Sequence, residues 1–191
     1  MKPKASRKRN ELLIESARQR VVEVLFRYPE KEFSLSDLAK EAGVAKQHIG
    51  GILDDLARRD LVHIEKLSKI WRIRANQANW LYQRSKIVYN LNFVYQSGLV
   101  EFLAEKFQHP RAIVLFGSFR DGQDTSASDI AIETDETEEH RIIGLKELVP
   151  FETSIHRNIQ LHLFNRQSVD PNVFASIANG IVLLGFLEVK P

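Results

Sequence analysis

A short polar turn and two carboxylates stand close together in the second half of the chain. The apolar run 113–116 leads into Gly117-Ser118; Asp129 follows eleven residues after the serine, and Glu133 lies four residues further on. Alternate residues of a strand share a face, and each such step covers about 6.5 Å. Carboxylates at i and i+2 can therefore share magnesium ions, which prefer oxygen ligands. Position i+2 from the aspartate is Ala131, whose methyl group cannot bind a metal.

The segment 112–133 resembles the signature of the minimal nucleotidyltransferases, whose fold is shared with DNA polymerase beta. In that family an apolar strand runs into Gly-Ser, and a second strand carries Asp-x-Asp, whose carboxylates bind catalytic magnesium. The strand, the turn, the spacing and the order Ser128-Asp129-Ile130 all match, whereas Ala131 departs from the pattern. The resemblance therefore implies the family scaffold with a degenerate metal site.

The resemblance assigns roles to three residues of the turn. It implies that Gly117 allows a nucleoside triphosphate to approach closely, that Ser118 hydrogen-bonds to the phosphates, and that Arg120 belongs to the same nucleotide-binding loop. It also implies Mg²⁺ as the cofactor, with Asp129 as the remaining ligand. No residue of this chain is confidently assigned a catalytic role.

Two explanations of the missing carboxylate stay open. Glu133 shares the strand face with Asp129, but it would need a bulge or a shifted pairing to bind the same ion. Alternatively, two residues have been lost from an Asp-x-Asp segment. The family's third ligand comes from a later strand and would fall on Gln160, with His162 as the alternative. Since neither is a carboxylate, we expect a domain without catalytic activity that can still bind a nucleotide.

The front of the chain carries a different pattern. Apolar residues recur at three- and four-residue steps over 10–27, which predicts a helix. A capping box at 34–37 predicts the start of a second helix, and a third is predicted over about 45–59. A stretch rich in β-branched residues then predicts a β-hairpin with its bend at 66–69.

This order of elements resembles a winged helix-turn-helix domain. In such domains the third helix enters the major groove of double-stranded DNA through its first residues, and the hairpin contacts phosphates. A protein-contact or dimerisation domain is the alternative reading. The residues expected at the DNA are Lys46, Gln47, His48, Arg58, Lys66, Lys69, Arg72 and Arg74.

We expect an α+β protein with three parts. Residues 10–76 would form the winged helix-turn-helix domain, 77–94 a linker helix, and 95–191 a nucleotidyltransferase-like α/β domain with a small mixed sheet. The linker is apolar and rich in aromatic residues, which is typical of a buried helix and also of a homodimer interface.

Charge and composition narrow the function classes. Residues 1–76 hold 17 Lys and Arg against 11 Asp and Glu, whereas 77–191 hold 10 against 14, so a polyanion is expected at the front. The absence of cysteine excludes disulfides and zinc-thiolate sites. No apolar stretch is long enough to span a membrane, and no secretory signal is evident, so a cytoplasmic protein is expected.

Three functions compete on the sequence alone. The first is a DNA-binding protein of the transcription-regulator kind whose nucleotidyltransferase-like domain is inactive but can bind a nucleotide. The second is an active, metal-dependent nucleotidyltransferase that transfers a nucleoside monophosphate from a triphosphate. The third is an antitoxin-like partner subunit.

Overall fold

The protein has the α+β class expected from its sequence, with a small mixed sheet. The computed structural model describes residues 16–67, 70–124 and 126–189. The chain divides into two compact units between Tyr89 and Asn90. Among the described residues, none of the helices has both the length and the apolar composition needed to span a bilayer.

Three helices open the first unit: α1 (Ala17–Arg27), α2 (Leu35–Glu41) and α3 (Lys46–Arg58). The Ser16 hydroxyl caps α1 by accepting the backbone N–H of Gln19 at 3.1 Å. Ser34 caps α2 in the same way, accepting the N–H of Asp37 at 3.1 Å. The predicted helices are thus confirmed, although the first six residues of the predicted first helix lie outside the described residues.

A two-stranded antiparallel hairpin, β1 (Val62–Leu67) and β2 (Ile70–Ala75), follows α3 as predicted. Phe33 adds a short bridge to this hairpin, exchanging two backbone hydrogen bonds of 2.9 Å with Ile73. Lys69, predicted to contact DNA from the bend, lies outside the described residues.

The first unit is held together by one apolar core under α3. Ile49, Leu53 and Leu56 on the inner face of that helix are fully buried. The helix α4 (Trp80–Gln96) begins in this unit, where the Tyr82 hydroxyl donates to the Leu25 carbonyl at 2.9 Å. Trp80, near the start of α4, is 67% exposed, and the predicted homodimer through this helix stays a prediction.

The second unit is built on a five-stranded sheet in the order β5-β6-β4-β3-β7. Only β4 and β6 pair in parallel; all other neighbours are antiparallel. Its elements, after the last residues of α4, are α5 (Leu99–Lys106), β3 (Ala112–Phe116), α6 (Gly117–Asp121), β4 (Ala127–Glu133), β5 (Arg141–Ile143), a 3₁₀ turn (Lys146–Leu148), α7 (Val149–Ile155), β6 (Asn158–Phe164), α8 (Pro171–Ala178) and β7 (Ile181–Gly185).

Alternation along the central strands gives the sheet two different faces. One face carries Ile113, Leu115 and their neighbours, packed with residues of α5 and α7. The other carries Val114, Ala131 and Phe164, packed with α8. Because β3 is buried on both faces, its sequence is a continuous apolar run.

A buried ion pair fixes the loop before β4. Asp124 is 1% exposed and accepts from Arg157 Nε at 2.8 Å, while its other oxygen accepts from the Asn90 side-chain amide at 2.9 Å. A buried charge that keeps a partner is tolerated, whereas one that loses it is strongly destabilising.

Replacing Asp124 should therefore reduce stability far more than replacing an exposed aspartate that also pairs with an arginine. Asp124→Asn leaves the Arg157 cation facing a neutral amide and should lower the free energy of unfolding by about 3 kcal/mol. The control is Asp135→Asn, which breaks the exposed pair with Arg111 (2.7 Å) and should cost less than about 1 kcal/mol. Urea unfolding of both variants measures the difference, and equal costs would contradict the assigned role of the buried pair.

Candidate functional sites

The turn predicted to hold phosphate follows β3 directly. Gly117 opens α6 with φ = +69°, a left-handed conformation that side chains adopt only with strain. A Cβ on this glycine would lie 2.5 Å from Asp129 Oδ2. The residue is therefore glycine for two reasons: its backbone conformation and the close approach of the carboxylate.

The other residues of this turn differ in exposure: Phe119 is buried, Ser118 is half-buried and Arg120 is exposed. Phe119 is buried, and its carbonyl accepts from the Asn90 side chain at 2.8 Å. Ser118 is half-buried and its carbonyl accepts the N–H of Gln123 at 3.0 Å. Arg120 is exposed and makes no hydrogen bond or ion pair with any described residue, so its charge is available to a ligand.

The pairing of β4 with β6 decides which side chains accompany Asp129. Gln160 is its direct partner in the register, as expected for the third-ligand position, but its side chain is exposed. His162 stands opposite Ala131, and its Nε2 comes within 3.4 Å of Asp129 Oδ1. The imidazole therefore lies beside the small side chain of Ala131.

A second histidine, His140, completes this group. His140 Nε2 lies 3.0 Å from His162 Nδ1, and the two rings meet edge to edge, with an interplanar angle of 22° and centroids 5.2 Å apart. Phe116 packs edge-on against the His162 ring at 4.8 Å. Burial lowers the pKa of His140 below its usual value, and the neighbouring His162 lowers it further. Asp129, His162 and His140 form the polar cluster of this unit.

Glu133 does not take the place of the missing carboxylate. Its pairing through β4 is continuous, without the bulge that a substitute ligand would need. Both of its oxygens instead accept from Arg166, through Nε and Nη2, at 2.9 Å each. This pairing raises the pKa of Arg166 and holds the Glu133 carboxylate in a structural ion pair.

A two-magnesium site of the family kind does not fit these residues. Such a site needs carboxylates that converge on shared ions, and Asp129 is accompanied by a methyl group, an exposed amide and an imidazole. Across residues 16–67, 70–124 and 126–189, no three His, Asp or Glu side chains are placed to hold one metal ion.

The outer face of α3 presents the residues expected to read DNA. Lys46, Gln47 and His48 are exposed, and Ala45 provides no side-chain cap for the first backbone N–H groups. One turn further, Gly50 and Gly51 leave this surface bare, because a Cβ on either would have no neighbour within 4 Å. The sequence analysis did not single out this pair, although two consecutive glycines within a predicted helix were a readable signal.

The other predicted DNA contacts are engaged within the first unit. Arg72 donates to Glu32 at 2.7 Å and to Glu65 at 3.2 Å, and Arg74 lies 3.9 Å from Glu32. Hydrogen bonding by Arg72 lowers the pKa of Glu32. The positive charges of the hairpin arginines are therefore partly neutralised. Counting charged residues along the sequence could not show these pairs.

Two more cations have partners of their own. Lys66 Nζ lies 4.0 Å from the centroid of the Trp71 ring. Arg58 lies 3.5 Å from Asp55 in an exposed pair. Both side chains remain exposed, so neither contact removes them from reach of a ligand.

No family model, curated protein or solved structure matches this chain.

The fit between Gly117 and Asp129 predicts an unusually costly substitution. Gly117→Ala should incur both the left-handed strain of about 1–2 kcal/mol and the displacement of the Asp129 carboxylate. Gly98→Ala is the control, since Gly98 has φ = +77° but no atom within 4 Å of its Cβ position. Thermal unfolding should show a larger loss of stability for Gly117→Ala than for Gly98→Ala. Combining Gly117→Ala with Asp129→Ala should reduce this difference, because the clashing carboxylate is then absent. Equal losses in the two single variants would contradict the proposed close contact.

The environment of His140 predicts a pH dependence. Its lowered pKa means that the folded chain binds this proton less readily than the unfolded chain does. Stability should therefore fall as the pH drops through about 6.5, the usual histidine value, toward the lower folded-state pKa. NMR titration of the His140 ring in chelator-treated protein checks the shift. A midpoint at or above about 6.5 would contradict it.

Proposed function

We propose that this protein binds double-stranded DNA through the outer face of α3 and acts as a regulator of the transcription-factor kind. The observation that carries the proposal is the bare patch at Gly50-Gly51 beside the exposed Lys46 and Gln47. Three helices, a hairpin and the Phe33 bridge support the resemblance to a winged helix-turn-helix domain.

Glycine inside a helix needs an explanation. Each costs about 1 kcal/mol relative to alanine, so the pair lowers the stability of α3 by about 2 kcal/mol. None of the described residues requires a glycine pair, because alanine would fit at both positions without contacting any of them. Close approach of a backbone to a ligand is a reason to retain glycine. A phosphate backbone or groove wall against α3 would supply that reason.

The first turn of α3 also suits an anion. Its backbone N–H groups have no side-chain cap and carry the positive end of the helix dipole, and Lys46 adds a full charge. Gln47 and His48 supply hydrogen-bonding groups beside it, with Gln47 Nε2 3.2 Å from His48 Nε2. Asp54, exposed one turn beyond the glycines, would repel phosphate and so limits the contact to the first half of the helix.

The second unit would act as a ligand-binding domain without transferase activity. The exposed Gly117 and Arg120, which has no partner among the described residues, support phosphate binding, whereas the donors around Asp129 do not support a two-magnesium reaction. Isothermal titration with nucleoside triphosphates tests this part. An absence of binding at millimolar concentration would remove nucleotide sensing from the proposal and leave DNA binding unaffected.

Substituting the glycines should separate stability from DNA binding. Gly50→Ala and Gly51→Ala should each raise the free energy of unfolding by about 0.5–1 kcal/mol. Each should also weaken binding to duplex DNA about tenfold, or about 1.4 kcal/mol, because the new methyl group displaces the DNA. Gly144→Ala is the control, as its Cβ would also have no neighbour within 4 Å. Fluorescence anisotropy measures the binding, and unchanged affinity in both α3 variants would contradict the proposed interface.

Releasing the hairpin arginines should strengthen DNA binding. Glu32→Gln removes the anion nearest Arg74 and one of the two carboxylates that pair with Arg72, so both arginines should reach phosphates more readily although Arg72 keeps its pair with Glu65. The slope of log affinity against log salt should steepen by up to about 1.8, or about 0.9 for each new contact. Glu147→Gln, which frees Lys106 in the second unit, is the matched control and should leave the slope unchanged. A slope unaffected by Glu32→Gln would place the hairpin away from the DNA.

A further inference from the structure

The polar cluster of Asp129, His162 and His140 lies on one face of the sheet, near the start of β4 and beside Gly117. We propose that His162 Nε2 and Asp129 Oδ1 are two ligands of a site for a single divalent transition-metal ion, with His140 as the outer partner that orients His162. This site differs from a two-magnesium centre in its donors and in the class of ion it selects. It is independent of the proposed DNA binding.

The spacing of the two donors suits one shared ion. Nε2 and Oδ1 are 3.4 Å apart, and two ligands about 2.0–2.1 Å from a tetrahedral ion are separated by about 3.4 Å. Nε2 is buried, yet it has no hydrogen-bond partner among the described residues. The 3.4 Å approach to Asp129 Oδ1 lacks hydrogen-bond geometry. A buried nitrogen left in this state costs about 1–3 kcal/mol, and binding a metal ion would satisfy it.

The surroundings hold the imidazole in position for metal binding. A histidine that binds metal through one nitrogen usually donates its other N–H to an acceptor nearby, which fixes the tautomer. His162 would carry its proton on Nδ1 and donate to His140 Nε2 at 3.0 Å. Phe116 and His140 contact the same ring at 4.8 and 5.2 Å between centroids. The ring is 11% exposed, so little freedom would be lost on binding.

The donor types determine the class of ion. An imidazole nitrogen favours Zn²⁺, Co²⁺ and related ions, whereas Mg²⁺ selects oxygen ligands. With two protein ligands, the ion would keep open positions for water or another oxygen ligand. Asp129 Oδ2 faces Gly117, so the ion would lie beside the turn whose Arg120 is free to contact a ligand.

Titration of the full, chelator-treated chain with Co²⁺ tests the proposal, followed by visible absorption and by calorimetry with Zn²⁺. One equivalent should bind, and Mg²⁺ in about 100-fold excess should not displace it. Asp129→Asn and His162→Gln should abolish that equivalent. His140→Gln should weaken it by about 10–100-fold, as expected when the outer partner of a ligand is lost.

Two controls make the result decisive. His63→Gln and Asp135→Asn make the same chemical changes at exposed positions and should leave binding unchanged. Circular dichroism in chelator shows whether each variant is folded. If His162→Gln does not fold, the more exposed Asp129 and His140 variants give the answer. The proposal would be overturned if the wild type and the Asp129 and His140 variants bound the metal equally well. It would also be overturned if the wild type bound no metal at concentrations up to about 1 mM, which corresponds to a binding free energy of about −4.1 kcal/mol.

Discussion

The parallel register of β4 against β6 determines what the second unit can do. It places Gln160 beside Asp129 and His162 beside Ala131. Because side chains at paired positions share a face, the His162 imidazole lies beside the small methyl group of Ala131. A shift of one residue would turn His162 to the opposite face and pair Asp129 with Ile159 or Leu161. The chemistry around Asp129 thus depends on a pairing between strands that are separated by some 30 residues of sequence.

Glu133 and Arg166 help to fix the same arrangement from the far end of β4. Their two hydrogen bonds link the last residue of β4 to the loop after β6, with the glutamate 1% exposed. A bidentate pair of this kind supplies directional contacts that a simple charge pair lacks. The carboxylate that sequence reasoning considered as a metal ligand is therefore part of the scaffold that aligns Asp129 with His162.

On α3, the residues that stabilise the first unit and the residues proposed to contact DNA lie on opposite faces. The inner face of α3 is fully buried at Ile49, Leu53 and Leu56, which fixes the helix in place. Its outer face bears a lysine, an amide and two glycines that contribute little to the fold. Residues kept at a cost to stability are most easily explained by a ligand. The second unit also has a feature that costs stability: the buried Nε2 of His162 has no hydrogen-bond partner among the described residues.

Local patterns in the sequence predicted most of the elements, and long-range pairing accounts for most of what they missed. Periodicity and capping residues predicted the three front helices. The strand β3 followed from its apolar run. By contrast, the meeting of His140 with His162 required the antiparallel pairing of β5 with β6, and the Glu32–Arg72 pair joins residues 40 positions apart. Neither pairing leaves a periodic signal in the sequence.

The central claim is that the first half of α3 contacts DNA, and amide NMR of the full chain titrated with duplex DNA tests it most directly. The account predicts that the largest shifts fall on residues 46–51, with smaller shifts along the hairpin and little change in β4 or β6. Shifts concentrated in the second unit, or spectra unchanged by DNA at low salt, would contradict it.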